Sequence, residues 1–335
     1  MIKLIIIGCG VVGRAFLSIL HAQKEEFHQN YGVEFQVVAV CEYTGTLLNE
    51  KGLSLDTILA HNDLSKLPDW VENQDALSTI QEVEADFVIE MSWTNPDTGE
   101  PTYSFIQAAF KAGKHVVTSN KGPLYLYFEE IKQLAKEHNV KLGFESTVLS
   151  AIPCITTKDS LKGNKIKRIT AILNGTSNYI LSRMTSENMT FDQALNEAQK
   201  LGYAEADPKL DVEGYDAAGK LVILANELLG WQKTIADVEI NGIQEVTTQM
   251  ITLAQQNNFL IKHVGIAENN QLWVGLKLIP VGSTLAINGT LNCVNLETEL
   301  AGEIQLTGRG AGGSEAAAGV LSDVLRIIDH DPNSK

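Results

Sequence analysis

The sequence predicts an α/β chain in which a doubly wound parallel sheet is followed by a second domain of α+β type, and three observations carry that reading. An aliphatic run from Ile2 to Ile7 stops at Gly8, as a strand buried on both faces does. From there to residue 147 strand-like and helix-like segments alternate, which is the rhythm of βαβ units. Beyond that point the rhythm changes, and HVGIAENNQLWVGLKLI reads as a hairpin turning at Asn269 and Asn270, an antiparallel signal.

The elements follow in order. Helical spacing runs from Val11 to Gln23, ahead of a polar extension, HAQKEEFHQNYG, and a second strand spans Glu34 to Cys41. A third strand covers Asp86 to Met91, a turn-rich SWTNPDTGEP follows, and Tyr103 to Lys111 is helical. KHVVTSN ends a fourth strand, Leu124 to His138 reads as one helix, and VKLGFES is a fifth strand. In the second half Lys165 to Leu173, HVGIAEN and QLWVGLKLIP are strands, while Thr190 to Gln199, Asp216 to Leu229 and Val246 to Gln255 are helices against one face of their sheet. GRGAGG is a glycine-rich turn feeding a last helix, after which DHDPNSK is a polar tail. A length of 335 residues exceeds what one hydrophobic core usually serves, and the expected division is 1–147, 148–305 and a C-terminal 306–335.

Composition excludes several classes. A formal charge of -15 argues against nucleic acid as a partner, because binding a phosphate backbone needs a Lys/Arg surface that displaces counterions. Cys9, Cys41, Cys154 and Cys293 stand far apart with no C-x-x-C pair, the usage of reduced cytoplasmic thiols. The apolar start is short and runs into glycines, and no apolar run is long enough for a membrane span. The expected partner is a small molecule.

Gly8-Cys9-Gly10-Val11-Val12-Gly13 is G-x-G-x-x-G after a strand and at the opening of a helix. The first glycine permits the turn, the second lets backbone approach a pyrophosphate, and the third packs helix on strand, with the helix N-terminus facing the anion. The first domain is therefore expected to be of Rossmann type and to bind a dinucleotide. Glu42, at the end of the second strand, suits a ribose diol, although it lies farther past Gly13 than the usual ~20 residues. No arginine follows it closely, which favours NAD over NADP, with Lys51 as the cation able to reverse that preference. Ser119, Asn120 and Lys121 close the fourth strand at the edge where open sheets bind ligands. In GYAEADPKLDVEGYDAAGK, Glu205, Asp207, Asp211, Glu213 and Asp216 crowd ahead of Lys220. Asp216 and Lys220 stand four apart, so a helix brings them together, either as a solvated ion pair or as a lysine tuned to exchange a proton.

Together, GCGVVG, TSNKGPL, ILNGTSNYIL, LGYAEADPKLDVEGYDAAGKL and GRGAGG resemble homoserine dehydrogenases, in the family's order and over nearly the whole chain. The resemblance implies interconversion of L-homoserine and L-aspartate 4-semialdehyde with NAD or NADP, on the route to threonine, methionine and isoleucine. It implies that 1–147 binds NAD(P), that 148–305 binds substrate and forms a homodimer, and that 306–335 returns to the first domain. Gly8 to Gly13, Glu42, Ser92, Ser119 and Gly312 match cofactor positions, and Lys121 the family's first active-site lysine. Thr176, Gly202, Tyr203, Glu205, Asp211 and Asp216 match positions around the amino acid, and Lys220 the proton donor and acceptor. A monovalent cation is implied at Glu145, Val148, Ser150 and Ile152.

Two departures stand out. The loop after Glu145 lacks the family's glycines, and other residues restrict positive φ; Trp93 replaces a common proline. At this length a regulatory amino-acid-binding domain, and feedback through one, are not expected. Alternatives are another NAD(P)-dependent amino-acid or semialdehyde dehydrogenase of this fold, and a non-catalytic dinucleotide sensor.

Overall fold

The structure is a computed structural model that describes residues 1–329, so all of the expected polar tail beyond Asp329 lies outside the described residues. The chain forms two compact units, one of residues 1–151 with the C-terminal helix from residue 312 onward, the other of residues 152–311.

In the first unit the strands are β1 (Ile2–Ile7), β2 (Phe35–Glu42), β3 (Gly45–Leu48), β4 (Trp70–Glu72), β5 (Phe87–Glu90), β6 (His115–Thr118) and β7 (Leu142–Gly143). They form one sheet in the order β4-β3-β2-β1-β5-β6-β7. β1 pairs in parallel with both β2 and β5, and β5–β6–β7 continue in parallel. β3 and β4 add an antiparallel edge that the sequence reading did not anticipate. Strand order reverses around β1, so the carboxyl ends of β1 and β5 form the switch point at which doubly wound sheets bind ligands. Leu4, Ile6, Phe16, Leu17, Val37, Val40, Phe87 and Ile89 build the core with Ala317, Val320 and Val324 of the last helix, Gly313–Asp329. Each fully buried large aliphatic or aromatic side chain contributes ~1.5–3 kcal/mol.

Some elements depart from expectation. The polar extension is itself a helix, Lys24–Tyr31, with only Phe27 buried, closed by Gly32 at φ 66°. Its sequence carries almost no apolar stripe, so periodicity could not reveal it. The single helix expected over 124–138 is two, Gly122–Leu126 and Phe128–Glu137, broken at Tyr127. The fifth strand is cut to Leu142–Gly143, because the chain then turns into the one-turn helix Ser146–Leu149 against the C-terminal helix.

In the second unit β8 (Ile166–Ile172), β9 (Val238–Ile240), β10 (Phe259–Glu268), β11 (Gln271–Pro280), β12 (Leu291–Thr298) and β13 (Glu303–Arg309) lie in the order β13-β12-β8-β10-β11-β9. β10 and β11 form the expected hairpin, with Glu268 opposite Gln271. Asn269 and Asn270 have φ of 52° and 62°, the double left-handed geometry of a type I′ turn. Helices Gly175–Glu187, Tyr215–Leu229 and Thr248–Gln256 pack on this sheet. Helix Phe191–Lys200 packs on the first of them and starts with a capping box of Thr190 and Gln193.

Lys262 of β10 is buried, and its Nζ donates to Asn178 Oδ1 at 3.0 Å, Asn288 Oδ1 at 3.1 Å and the Ile287 carbonyl. These partners and the Ser182 hydroxyl, which accepts at 3.4 Å, are all neutral, and burial pushes the lysine's pKa down to about 8. An unfolded lysine titrates near ~10.4, so between these values the unfolded chain binds more protons and stability rises with pH. Comparing thermal unfolding of the wild type with Lys262→Met should show the difference moving in favour of the wild type from pH ~8 to ~10, by up to roughly 3 kcal/mol. A difference that stays flat across that window contradicts the burial argument.

Candidate active site

The first feature is the turn after β1. Gly8 has φ 85°, and a Cβ there would lie 2.9 Å from the Met91 carbonyl oxygen; a Cβ on Gly13 would lie 2.2 Å from that of Gly8. Helix Val11–Ala22 can seat on the strand only with hydrogen at both positions. A Cβ on Gly10 would meet nothing within 4 Å. No side chain caps that helix at Gly10, so its first N–H groups are available to an anion. Val11 is exposed and Val12 half-buried on the same turn. Gly312 opens the last helix, which packs along the first.

Glu42 belongs to this turn. Its Oε1 accepts from the Cys9 N–H at 2.7 Å, which fixes one carboxylate oxygen and leaves the other for a ligand. Burial pushes the Cys9 thiol up to about 11, so it stays protonated and unreactive near neutrality. Lys51 lies at the other end of β2, where its carbonyl accepts from Gln36 at 2.9 Å. At ~3.3 Å per residue that is roughly 20 Å from Glu42. The open space at Gly10 and the uncapped helix start fit a dinucleotide.

At the ends of β5 and β6, Ser92 is half-buried and Trp93 is 75% exposed. The Ser119 N–H donates to the Glu90 carbonyl at 3.0 Å. Lys121, half-buried, sits directly before the short helix Gly122–Leu126. Asn120, beside it, is buried and donates through Nδ2 to the Trp93 carbonyl at 3.1 Å.

In the second unit the acidic segment folds back on a helix. Asp216 Oδ2 and Lys220 Nζ are 2.8 Å apart, one helical turn from each other, and both side chains are only 11% exposed. The solvated surface pair is therefore ruled out, and the partners lie within the fold. Lys220 Nζ also donates to the Leu173 carbonyl at 2.9 Å. Asn174 Nδ2 donates to Asp211 Oδ1 at 2.6 Å and to Asp216 Oδ2 at 2.9 Å, joining the two carboxylates. Its Oδ1 accepts from the Ser177 N–H at 2.8 Å and so caps helix Gly175–Glu187. Thr176 Oγ1 donates to the Tyr203 carbonyl at 2.6 Å, and Gly202 before it has φ 76°. Tyr203 packs its exposed ring 4.9 Å from that of Tyr179. Glu205 is exposed, and its side chain has no hydrogen-bond or ion-pair partner among the described residues.

These positions fall into two sets. Asp211, Asp216 and Lys220 are drawn into one network, and Thr176 holds Tyr203 beside it, while Glu205 stands apart in solvent. Sequence reasoning missed Asn174, although an Asn before Gly-Thr-Ser at a helix start is an N-cap signal. It also missed Glu90, a fully buried carboxyl on β5; the signal was an acid inside the otherwise apolar run FVIEM, residues 87–91.

Around the expected cation position, Glu145 and Val148 are buried, and the Glu145 N–H donates to Asp323 Oδ2 at 2.7 Å. Ser150 adopts φ 55°, so the loop takes a left-handed residue without a glycine. Ile152 begins the second unit. No group of three or more His, Cys, Asp or Glu side chains able to hold a metal occurs among the described residues.

A glycine turn of this kind, opening a helix after a strand, fits a dinucleotide; the class is an NAD(P)-dependent oxidoreductase. Comparison with known proteins makes it particular. The homoserine dehydrogenase NAD-binding domain model matches residues 8–145, and the homoserine dehydrogenase model matches 153–325. The chain belongs to the homoserine dehydrogenase family. It is 41% identical over 331 residues to a homoserine dehydrogenase of Methanocaldococcus jannaschii, covering 97% of this chain and 98% of that one. It is 36% identical to an NAD(+)-dependent homoserine dehydrogenase of Pseudomonas canavaninivorans, covering 97% and 96%. A hyperthermophilic archaeal homoserine dehydrogenase in complex with NADPH superposes with a TM-score of 0.86 at 29% identity, covering 100% of this chain and 99% of that one.

The open space at Gly10 yields a separable prediction. Gly10→Ala should leave thermal stability within ~1 kcal/mol of the wild type yet weaken NAD(H) binding at least about tenfold, read by nicotinamide fluorescence. Unchanged affinity would remove Gly10 from the cofactor site.

Proposed function

We propose that this chain oxidises L-homoserine to L-aspartate 4-semialdehyde, and runs the reverse reaction, with Lys220 exchanging the hydroxyl proton. The observation that carries the assignment is the enclosed Lys220–Asp216 pair. A bound nicotinamide supplies the hydride acceptor. Oxidation of a primary alcohol also requires a group that takes its proton, and in reduction the same group returns it. An ammonium held by Asp216 and the Leu173 carbonyl is oriented for that return. Homoserine also carries an ammonium and a carboxylate; Glu205, Asp211 and Asp216 supply negative charge for the first, with Thr176, Gly202 and Tyr203 framing the segment. Lys121 stabilises the developing alkoxide electrostatically.

The cofactor is NAD in this reading. Glu42 has one oxygen committed to Cys9 and the other left for a ribose diol, and a 2′-phosphate would meet that negative charge. Lys51 lies too far away to offset it. The NAD(+)-dependent relative supports the same choice, whereas the archaeal relative is in complex with NADPH. The proposal further includes a cytoplasmic homodimer paired through the second-unit sheet, a monovalent cation at Glu145, Val148, Ser150 and Ile152, and a place on the route to threonine, methionine and isoleucine. No helix among the described residues is long and apolar enough to cross a membrane.

The test is homoserine-dependent reduction of NAD by the wild type and by Lys220→Ala, with NAD binding and thermal unfolding as controls. The variant should bind NAD and lose ~10²–10⁴-fold in kcat. Wild-type turnover that survives unchanged in the variant would sink the assignment to Lys220.

A further inference from the structure

Glu90 is the only carboxylate on the strands of the first sheet that is wholly enclosed at the ligand-binding edge, among the described residues. No cation among the described residues pairs with it. Its partners are the hydroxyl and amide groups at the tips of two strands and one helix. Oε1 accepts from the Ser92 N–H at 2.9 Å, from the Ser92 hydroxyl and from the Thr102 hydroxyl at 3.3 Å; Oε2 accepts from the Thr118 hydroxyl at 2.8 Å. Burial pushes its pKa up, while these donors oppose that shift.

The direction of these bonds has a consequence for Asn120. A threonine hydroxyl has one proton and two lone pairs. Thr118 and Thr102 both commit their proton to Glu90, so each presents lone pairs elsewhere. Asn120 uses both of them: its backbone N–H donates to Thr118 Oγ1 at 2.9 Å, and its Nδ2 donates to Thr102 Oγ1 at 3.0 Å. Asn120 Oδ1 in turn accepts from the Gly122 N–H at 3.1 Å, bracketing Lys121 from both sides. The carboxylate thus orients two hydroxyls, the hydroxyls hold Asn120, and Asn120 fixes the backbone that bears Lys121.

We propose that Glu90 is a positioning residue for the reaction, setting the spacing between Ser92 and Lys121 through Thr102, Thr118 and Asn120. The proposal rests on the homoserine dehydrogenase reading for the role of Lys121. An acceptor-only group is essential to it. Glutamine at the same place brings an N–H₂ that faces at least one hydroxyl, which must then accept from it and turn its own proton toward Asn120. Donor then meets donor, and leaving a buried polar group unmatched is expensive.

The experiment compares the full-length wild type with Glu90→Gln and with Thr118→Val, which keeps the carboxylate and removes the relay. Steady-state homoserine oxidation and amide hydrogen exchange over residues 118–122 are read on each. Both variants should lose at least about tenfold in kcat with the homoserine KM within threefold, and exchange at Asn120 should quicken at least about tenfold while the rest of the unit stays protected. Wild-type kcat and exchange in either variant that folds would overturn the proposal. So would a rise in KM matched to the fall in kcat with exchange quickened throughout, because that pattern is general loosening. Absence of homoserine turnover in the wild type would count against the function, and the exchange data would still decide whether Glu90 holds Asn120.

Discussion

The second unit is organised around an ion pair that water does not solvate. Taking a carboxylate and an ammonium out of water costs several kcal/mol per ion, and their attraction offsets this only when the remaining donors and acceptors are also matched. Asp216 and Lys220 meet that condition through neighbours from a different part of the chain: Leu173 supplies a carbonyl to the amine, and Asn174 an amide hydrogen to the carboxylate. Because Asn174 also binds Asp211 and caps the helix that begins at Gly175, the end of β8, the start of one helix and the start of another are fixed by one side chain. The crowd of acids in the sequence is thereby sorted. Asp211 and Asp216 are organised inward, while Asp207 accepts from the Lys209 N–H at 3.3 Å on the exposed side.

The first unit uses a related device without an ion pair. Its ligand edge is where β1 and β5 end side by side, and the residues there are held from beneath by carboxylates that accept from backbone and hydroxyl donors. Glu42 grips the Cys9 N–H, and Glu90 grips Ser92, Thr102 and Thr118. Both acids stand at the last residue of a strand that runs parallel to β1, so their carboxylates reach the backbone and hydroxyl groups at the strand tips: Glu42 holds the turn after β1, and Glu90 holds the residues after β5 and at the end of β6.

Much of this was legible in the residues, for reasons that are local. The run Ile2 to Ile7, the glycine spacing after it, the Asn269–Asn270 turn and the capping pair of Thr190 and Gln193 each encode their geometry within a few positions. What stayed hidden depends on partners far along the chain. Gly45–Leu48 is a strand because β2 offers it an edge and Trp70–Glu72 because β3 does, and Lys24–Tyr31 is a helix with a single buried side chain. The i,i+4 spacing of Asp216 and Lys220 brought the pair together in the sequence, but only the fold enclosed it. Ser150 entered the left-handed region without a glycine, since the surrounding packing there outweighs local preference.

The central claim is that the Asp216–Lys220 pair is one enclosed and mutually dependent unit. A double-mutant cycle in urea, with Asp216→Asn, Lys220→Met and the two combined, measures that dependence directly. Each single change should cost roughly 3–5 kcal/mol, since it strands a buried partner, and the double change clearly less than their sum. Additive losses, or single changes costing under ~1 kcal/mol as solvated pairs do, would contradict the account.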